Sequence, residues 1–480
     1  MNPEIHETHT GMVVLVGDRA YKVKKPVVTD FLDFSSVERR EQVCAREVEL
    51  NRRLAPDSYL GVGHFDNAGQ YAAEPVIIMR RYPDSLRLAT MVAAGEPVEE
   101  HLARIAEILA RFHDRAERSS AIDVYGTGAK ITELWQENLT ELRRYSGTIL
   151  PEDGVAEVTS LATRYLSGRT ELFAARIAER HIVDGHGDLR ADDIFCLPDG
   201  PALLDCLEFD DRLRCLDRVD DAAFLVMDLE FLGREDLAAT FQSQYVRLTA
   251  DSAPKSLWHL YISYRAVVRA KVDCIRFGQG ITDARADAQR HLDIALAHLR
   301  TGTVRLILVG GGPGTGKTTL ALALSERVEA DVISTDDVRR ELLESGVIAG
   351  SEGVFESGLY LAENVNAVYD EVLRRAAVAL AGGRTAILDG TWRNAGHRRR
   401  AREIADEYHC PTTELVCSTP LREAMDRISR RAGGTSDATP AIAAAMAGDE
   451  YAWSGSHRID TTRSIAESVR ESYEFCCQAG

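Results

Sequence analysis

At 480 residues, with 45% hydrophobic and 28% charged residues, the chain exceeds what one ordinary core encloses, and two or three globular domains are expected. No segment has the apolar length of a membrane span and the N-terminal MNPEIHETHT has no apolar signal region, so a cytoplasmic protein without a membrane partner is expected. A formal charge of −18, from 57 basic against 75 acidic residues, argues against long nucleic acid as the main partner, because binding to a phosphate backbone needs a basic surface.

From Met12 to Lys25 two strand-like runs flank a Gly-Asp turn, which is a hairpin pattern. A helix is predicted over Val37 to Leu54 and a third strand over Pro75 to Met79. Leu102, Ile105, Leu109 and Phe112 recur at helical spacing and predict a helix from His101 to Glu117. The apolar runs His181 to Asp184 and Ala202 to Leu207 bracket GHGDLRADDI, a loop dense in carboxylates. Asp188 follows His186 and Gly187 there, and Asp205 stands seventeen residues later. A base for an acceptor hydroxyl followed by a metal-binding carboxylate after a strand is the layout that kinase-like phosphotransfer needs. Helices are predicted from there to about Arg300. Within Trp258 to Phe277, Arg265, Arg269 and Arg276 share a stripe with Tyr261 and Val272, which either lines a cleft for an anionic or polyhydroxyl ligand or faces solvent.

Near Thr301 the pattern changes to strand, Gly-rich loop, helix and strand, the alternation of a parallel α/β domain, so the boundary is placed there. The strand Val304 to Val309 runs into GGPGTGKTT. Gly311, Gly316, Lys317 and Thr318 hold the fixed places of GxxxxGK[ST], with Gly312, Pro313, Gly314 and Thr315 between them and Thr319 following. Glycines let backbone N–H groups converge on phosphate oxygens, and the helix start at Lys317 adds a positive dipole end. Lys317 would neutralise the terminal phosphates and Thr318 would offer a hydroxyl to Mg²⁺. The loop is therefore expected to bind ATP.

A second strand, Ala330 to Ile333, leads to STDDVRREL. Asp336, at the carboxyl end of a parallel strand, can take a proton from an acceptor hydroxyl or hold hydrated Mg²⁺, and Arg339 can grip an anionic acceptor. Helix capping by Thr335 or Asp336 is the competing account. A third strand, Arg384 to Leu388, delivers Asp389, either a water-mediated Mg²⁺ contact or a turn-forming Asp-Gly pair. Farther on, Arg427, Arg430 and Arg431 fall at helical spacing before a Gly-rich break, either as a lid over the phosphates or as an exposed basic face. The nine cysteines show no CxxC pair and no histidine at metal-site spacing, so they are expected to be reduced thiols.

With GGPGTGKTT and DDVR in place, the span from Thr303 to about Glu474 resembles the P-loop small-molecule kinases of the gluconate kinase, chloramphenicol phosphotransferase and polynucleotide 5′-kinase group. That resemblance implies Asp336 as general base, Arg339 as acceptor contact and the Arg427 to Arg431 segment as lid. The first three hundred residues resemble aminoglycoside phosphotransferase and choline kinase-like proteins, in which HGDxxxxN carries a base and a metal-binding Asn and a later Asp binds Mg²⁺. Carried over, the resemblance implies Asp188 as base, Asp205 as principal metal ligand, Lys22 on the nucleotide phosphates, Glu47 as its partner and Met79 to Tyr82 as the hinge.

Two departures stand out: residue 193 is Asp where that family has Asn, and the usual glycine loop is reduced to something like ETHTGM. Lys24 leaves the same strand face as Lys22 and competes for its role. The order of the two parts, with SDATPAIAAAMA after the lid, resembles bacterial proteins that fuse an aminoglycoside phosphotransferase-like part to a P-loop kinase or AAA-type ATP-binding part.

The expected architecture is α/β and α+β in two modules. Residues 1–300 would form a bilobal protein-kinase-like domain, with a small lobe of about 1–82 and a large lobe of about 83–300. Residues 301–480 would form a P-loop NTPase with a parallel sheet flanked by helices. The expected activity is ATP- and Mg²⁺-dependent phosphorylation of a hydroxyl on a small-molecule acceptor. The first module would be a second kinase, making the chain bifunctional, or an acceptor-binding part. Two rivals are an ATP-gated regulatory or interaction protein with a degenerate kinase domain, and a polynucleotide 5′-hydroxyl kinase.

Overall fold

The computed structural model describes residues 4–7, 11–27, 34–65, 73–350, 358–430, 439–440, 443–444 and 453–478. The chain divides into two compact units, one comprising Met1–Val158, Phe173–Ala253 and Trp258–His298, the other Thr159–Leu172, Pro254–Leu257 and Leu299–Gly480.

In the first unit a five-stranded antiparallel sheet has the order β1-β2-β3-β5-β4, from β1 (Glu4–Glu7), β2 (Gly11–Val16), β3 (Arg19–Lys24), β4 (Tyr59–Phe65) and β5 (Glu74–Arg80). The expected hairpin is β2–β3, turning at Gly17 with φ 60° and pairing Val13 with Lys22. The expected third strand is β5. Strand β4 has no counterpart among the predicted elements, because Gly61 and Gly63 interrupt the alternation that marks a strand. The helix Val37–Asn51 starts on a Ser36 side-chain cap and packs Cys44 and Val48 against Tyr59 and Ile77 of the sheet. The remainder is mostly helical. It includes Glu99–Arg115, Arg218–Phe231 and Lys255–Gly278, and the two short antiparallel pairs β6 (Ile182–Asp184) with β9 (Cys215–Asp217) and β7 (Ile194–Leu197) with β8 (Gly200–Leu203).

In the second unit the sheet is wholly parallel, with the order β11-β12-β10-β13-β14. Its strands are β10 (Leu306–Gly310), β11 (Ala330–Ser334), β12 (Thr385–Asp389), β13 (Thr412–Ser418) and β14 (His457–Asp460). Ile307, Val309, Ile387, Leu415 and Ile459 bury one face of it against Leu320 and Leu324 of the helix Lys317–Val328. The stretch Thr159–Leu172 is part of this unit because its backbone meets the unit at close range. A Cβ on Gly168 would lie 2.1 Å from the Tyr408 carbonyl oxygen, and the buried Arg169 guanidinium donates to that oxygen at 3.0 Å. All nine cysteines are free thiols, eight buried and Cys477 exposed. No helix among the described residues is long and apolar enough to cross a membrane.

Candidate active site

Register brings the P-loop residues together. Val309 of β10 and Ser334 of β11 both pair with Asp389 of β12, so three parallel strands end at one edge, where α/β sheets place their ligands. The loop leaves β10 through Gly311 and enters the helix Lys317–Val328. Gly314 has φ 75°, and a Cβ there would sit 2.4 Å from the Ala424 carbonyl oxygen, so the position is closed to any side chain. Lys317 folds over the loop, its Nζ donating to the Gly312 carbonyl at 2.9 Å.

Thr318 Oγ1 donates to Asp389 Oδ2 at 2.6 Å, while Asp389 Oδ1 is buried with no hydrogen-bond partner. Burial raises the Asp389 carboxyl above the ordinary carboxylate range, with Lys317 and the Thr318 hydroxyl opposing. A buried carboxylate oxygen left unpaired is costly unless a cation meets it. The pair of Thr318 and Asp389 therefore fits Mg²⁺, and the turn-forming reading of Asp389 does not explain that bond.

Ser334, rather than Thr335 or Asp336, caps the helix Thr335–Glu344, its Oγ accepting from the Asp336 N–H at 3.2 Å. With the cap on the last residue of β11, the Asp336 carboxylate takes no part in capping. It pairs with Arg339 at 2.6 Å, and the Arg339 guanidinium lies 5.0 Å from the Tyr360 ring centroid.

Arg427, on the helix Leu421–Arg430, pairs with Glu423 at 2.5 Å and donates to the Thr461 carbonyl at 2.8 Å; its Nη1 would be 3.6 Å from a Cβ on Gly316. Arg430 is exposed. Arg431 and most of SDATPAIAAAMA lie outside the described residues.

A cavity of about 940 Å³ joins Lys317, Thr318, Asp336, Arg339, Asp389 and Arg427 to a second wall that the sequence did not single out: Tyr360, Tyr369, Thr391, Arg393, Asn394 and His397. Tyr369 sits on the helix Ala362–Ala381; its hydroxyl accepts from the Trp392 N–H at 3.1 Å and its ring stacks on His397 at 4.1 Å. Trp392 is fully buried with φ 52°, a left-handed backbone that costs about 1–3 kcal/mol, and its Nε1 donates to Leu388 O at 3.0 Å. The only sequence signal was the run GTWRNAGH directly after Asp389, with Asn394 as a helix cap.

In the first unit β3 carries Lys22 and Lys24 on one face, and both reach Glu47. Lys22 pairs with Glu47 Oε1 at 2.7 Å and Lys24 with Oε2 at 2.6 Å. Lys22 also meets Asp205 at 2.6 Å, whereas Lys24 is buried against Glu208 at 2.5 Å, so Lys22 is the lysine at the carboxylate loop. Asp205 has φ 64° and donates its N–H to the Tyr59 hydroxyl at 3.2 Å. The Lys22 ammonium holds its carboxyl well below the usual range against burial.

Asp188 is half-buried, with its Oδ2 3.7 Å from Arg190 Nε, and Asp193 accepts from Arg190 Nη2 at 2.7 Å. Burial pushes the Asp193 carboxyl up to about 7 against the Arg190 charge, with Asp205 and Asp188 adding to the rise. Below the loop, Asp221 accepts from the N–H groups of His186 at 2.7 Å and Gly187 at 2.9 Å and bonds His113 at 2.9 Å. The loop conformation thus rests on a fully buried carboxylate.

In the arginine stripe of Trp258 to Phe277, Tyr261 and Arg265 line a cavity of about 30 Å³, and Arg265 and Arg276 are held by carboxylates. Arg265 is buried, donating to both Asp220 oxygens at 2.7 and 2.9 Å and to Gly187 O at 3.1 Å, and Arg276 pairs with Asp273 at 2.9 Å. Asp220, 45 residues away, claims Arg265, whereas Asp273, three residues away on the same helix, claims Arg276. Among the described residues no three His, Cys, Asp or Glu side chains form a group that could cage a metal.

The AAA domain family matches residues 306–448. Among solved structures, a gluconokinase from Sinorhizobium meliloti 1021 is 15% identical over 36% of this chain and 92% of its own, with a TM-score of 0.28. The GDP and kanamycin complex of APH(2")-IIia is 16% identical over 62% of this chain and 93% of its own, with a TM-score of 0.39. The uncharacterized protein Rv2004c of Mycobacterium tuberculosis (strain ATCC 25618 / H37Rv) is 54% identical over 472 residues, 98% of this chain and 95% of that protein. At that identity over nearly the full length of both, the chain belongs to the family of Rv2004c.

Proposed function

We propose that the chain is an ATP- and Mg²⁺-dependent phosphotransferase whose P-loop unit phosphorylates a hydroxyl of a small-molecule acceptor. The observation that supports it most is the Thr318–Asp389 pair, with a buried, unpartnered carboxylate oxygen at the edge of a cavity that also holds Asp336 and Arg339. Loop amides and Lys317 hold the β- and γ-phosphates, and Arg427 stands over the same loop. Mg²⁺ on Thr318 and Asp389 would draw negative charge off the phosphate oxygens.

Arg339 and the Tyr360 wall orient the acceptor, whose hydroxyl gives its proton to the Asp336 carboxylate. The acceptor O–Pγ bond forms as the bond from Pγ to the ADP oxygen breaks, and ADP leaves with the electron pair. Acceptor-stimulated ADP release, followed by mass spectrometry over an acceptor library, tests this reading. Product that disappears in Lys317→Ala supports it, and product formation undiminished in that variant overturns it. The same screen with Asp188→Ala reports whether the first unit makes a product of its own.

A further inference from the structure

Strand β14 ends one residue before a hydroxyl that reaches the phosphate loop. The Thr461 N–H donates to the Ser418 carbonyl at 3.0 Å, which fastens the residue to the end of β13, and Thr461 Oγ1 lies 2.7 Å from the Thr315 carbonyl oxygen. Ser418 O is farther from that hydroxyl, at 3.2 Å, and a hydroxyl has a single proton, so the Thr461 O–H belongs to Thr315 O. On its other side the Thr461 carbonyl accepts from Arg427 Nη2 at 2.8 Å. Both side chains close on one peptide: a Cβ on Gly316 would lie 3.6 Å from Thr461 Cβ and 3.6 Å from Arg427 Nη1.

A trans peptide carries its C=O and its N–H in opposite directions, and no described peptide bond is cis. Holding the Thr315 carbonyl therefore fixes the direction of the Gly316 N–H, and Gly316 lines the cavity with Lys317 and Thr318. The loop needs such a hold, because Gly311, Gly312, Gly314 and Gly316 leave its backbone many other conformations. We propose that Thr461 is a positioning residue for the nucleotide: its hydroxyl aims the Gly316 amide at the phosphates, and its carbonyl keeps Arg427 beside the same peptide. The neighbouring Thr462 has no such part, since its hydroxyl donates to Asp460 Oδ1 at 2.7 Å. The inference rests on the nucleotide site of the function proposed above and not on its acceptor chemistry.

Binding tests it, with no turnover required. The probes are a fluorescent non-hydrolysable ATP analogue and inorganic tripolyphosphate as its competitor, on the full-length chain, and the P-loop component is the binding that Lys317→Ala removes. Thr461→Val, which loses only the hydroxyl's hydrogen bonds, is expected to weaken both probes about tenfold, the size of one hydrogen bond whose buried acceptor is left unmatched. Thr461→Ser, which restores the hydroxyl, and Thr462→Val are expected to bind both probes as the parent does. A valine variant at 461 that binds as the parent does, a serine variant as weak as the valine one, or a loss for the analogue that spares tripolyphosphate would overturn the proposal. Thermal melts confirm that each variant is folded.

A second measurement needs no change at Thr461. Threonine labelled with ¹³C at the carbonyl and glycine labelled with ¹⁵N mark only Thr–Gly peptides, of which the chain has four. The amide signal that Thr315→Ser removes belongs to Gly316. Its movement on addition of tripolyphosphate to the parent supports the proposal, and a signal that stays in place at saturation would overturn it. A chain that binds phosphate in this way yet phosphorylates no acceptor would sink the activity proposed above and leave this inference standing.

Discussion

The two units treat their acidic residues in opposite ways. In the P-loop unit Asp389 is 3% exposed, and one oxygen takes the Thr318 hydroxyl while the other takes nothing. In the first unit Asp205 is already paired with Lys22 and Asp193 with Arg190. A buried carboxylate needs a positive partner, and the difference lies in whether a cation of the chain pairs with it directly. Similar side chains thus leave one carboxylate oxygen unpaired in one unit and are paired with the chain's own cations in the other.

The largest effect that would break this contrast lies at Asp336. Asp336→Asn is expected to lower the acceptor-dependent rate by roughly 10²–10⁴-fold with nucleotide binding retained, the size of a general base. Single-turnover rates beside analogue binding check it, and equal loss of both would demote Asp336 to a binding role.

Lys317→Ala is expected to cost roughly 10²–10³-fold in the same rate, as the loss of one preorganised electrostatic partner does. Steady-state kinetics reads it. A milder loss would shift the burden to Arg427.

Asp221 sharpens the comparison from the other unit. Burial alone would raise its carboxyl, but bonds from His113 and from the His186 and Gly187 N–H groups win, holding it below the ordinary range. Asp221→Asn is expected to destabilise the first unit by about 1.5–3 kcal/mol at neutral pH, from charge-assisted bonds lost. A depressed carboxyl stabilises above its unfolded pKa of about 4 and loses that contribution as pH falls through its folded value. Urea unfolding at stepped pH should therefore show the gap between parent and variant shrinking below about pH 4. A gap that stays constant would mean the carboxylate charge is not what anchors the loop.

Gly168→Ala is expected to destabilise the P-loop unit by about 1–3 kcal/mol, because its Cβ must displace the Tyr408 carbonyl. Calorimetry with two resolved transitions would show the loss in one of them. A loss confined to the other transition would remove Thr159–Leu172 from the P-loop unit.

Local pattern was enough for the phosphate loop, the β2–β3 hairpin, the helix that carries Glu47 and the parallel strands before Asp336 and Asp389. In each, the information lies in backbone freedom and in apolar spacing between near neighbours. Glycine at Gly314 and Gly316 permits φ values other residues resist, and the strand-to-helix change at Lys317 follows from apolar periodicity.

Partnership across long stretches of chain was beyond such reasoning. Nothing near Asp389 announces that its second oxygen would be left bare, nothing near Arg265 names Asp220 as the carboxylate that claims it, and nothing near Tyr369 says that Trp392 would bond its hydroxyl and His397 stack on its ring. A charge's neighbours are set by which strands lie side by side, and its energy by how far water is shut out. Both arise only once the chain has folded.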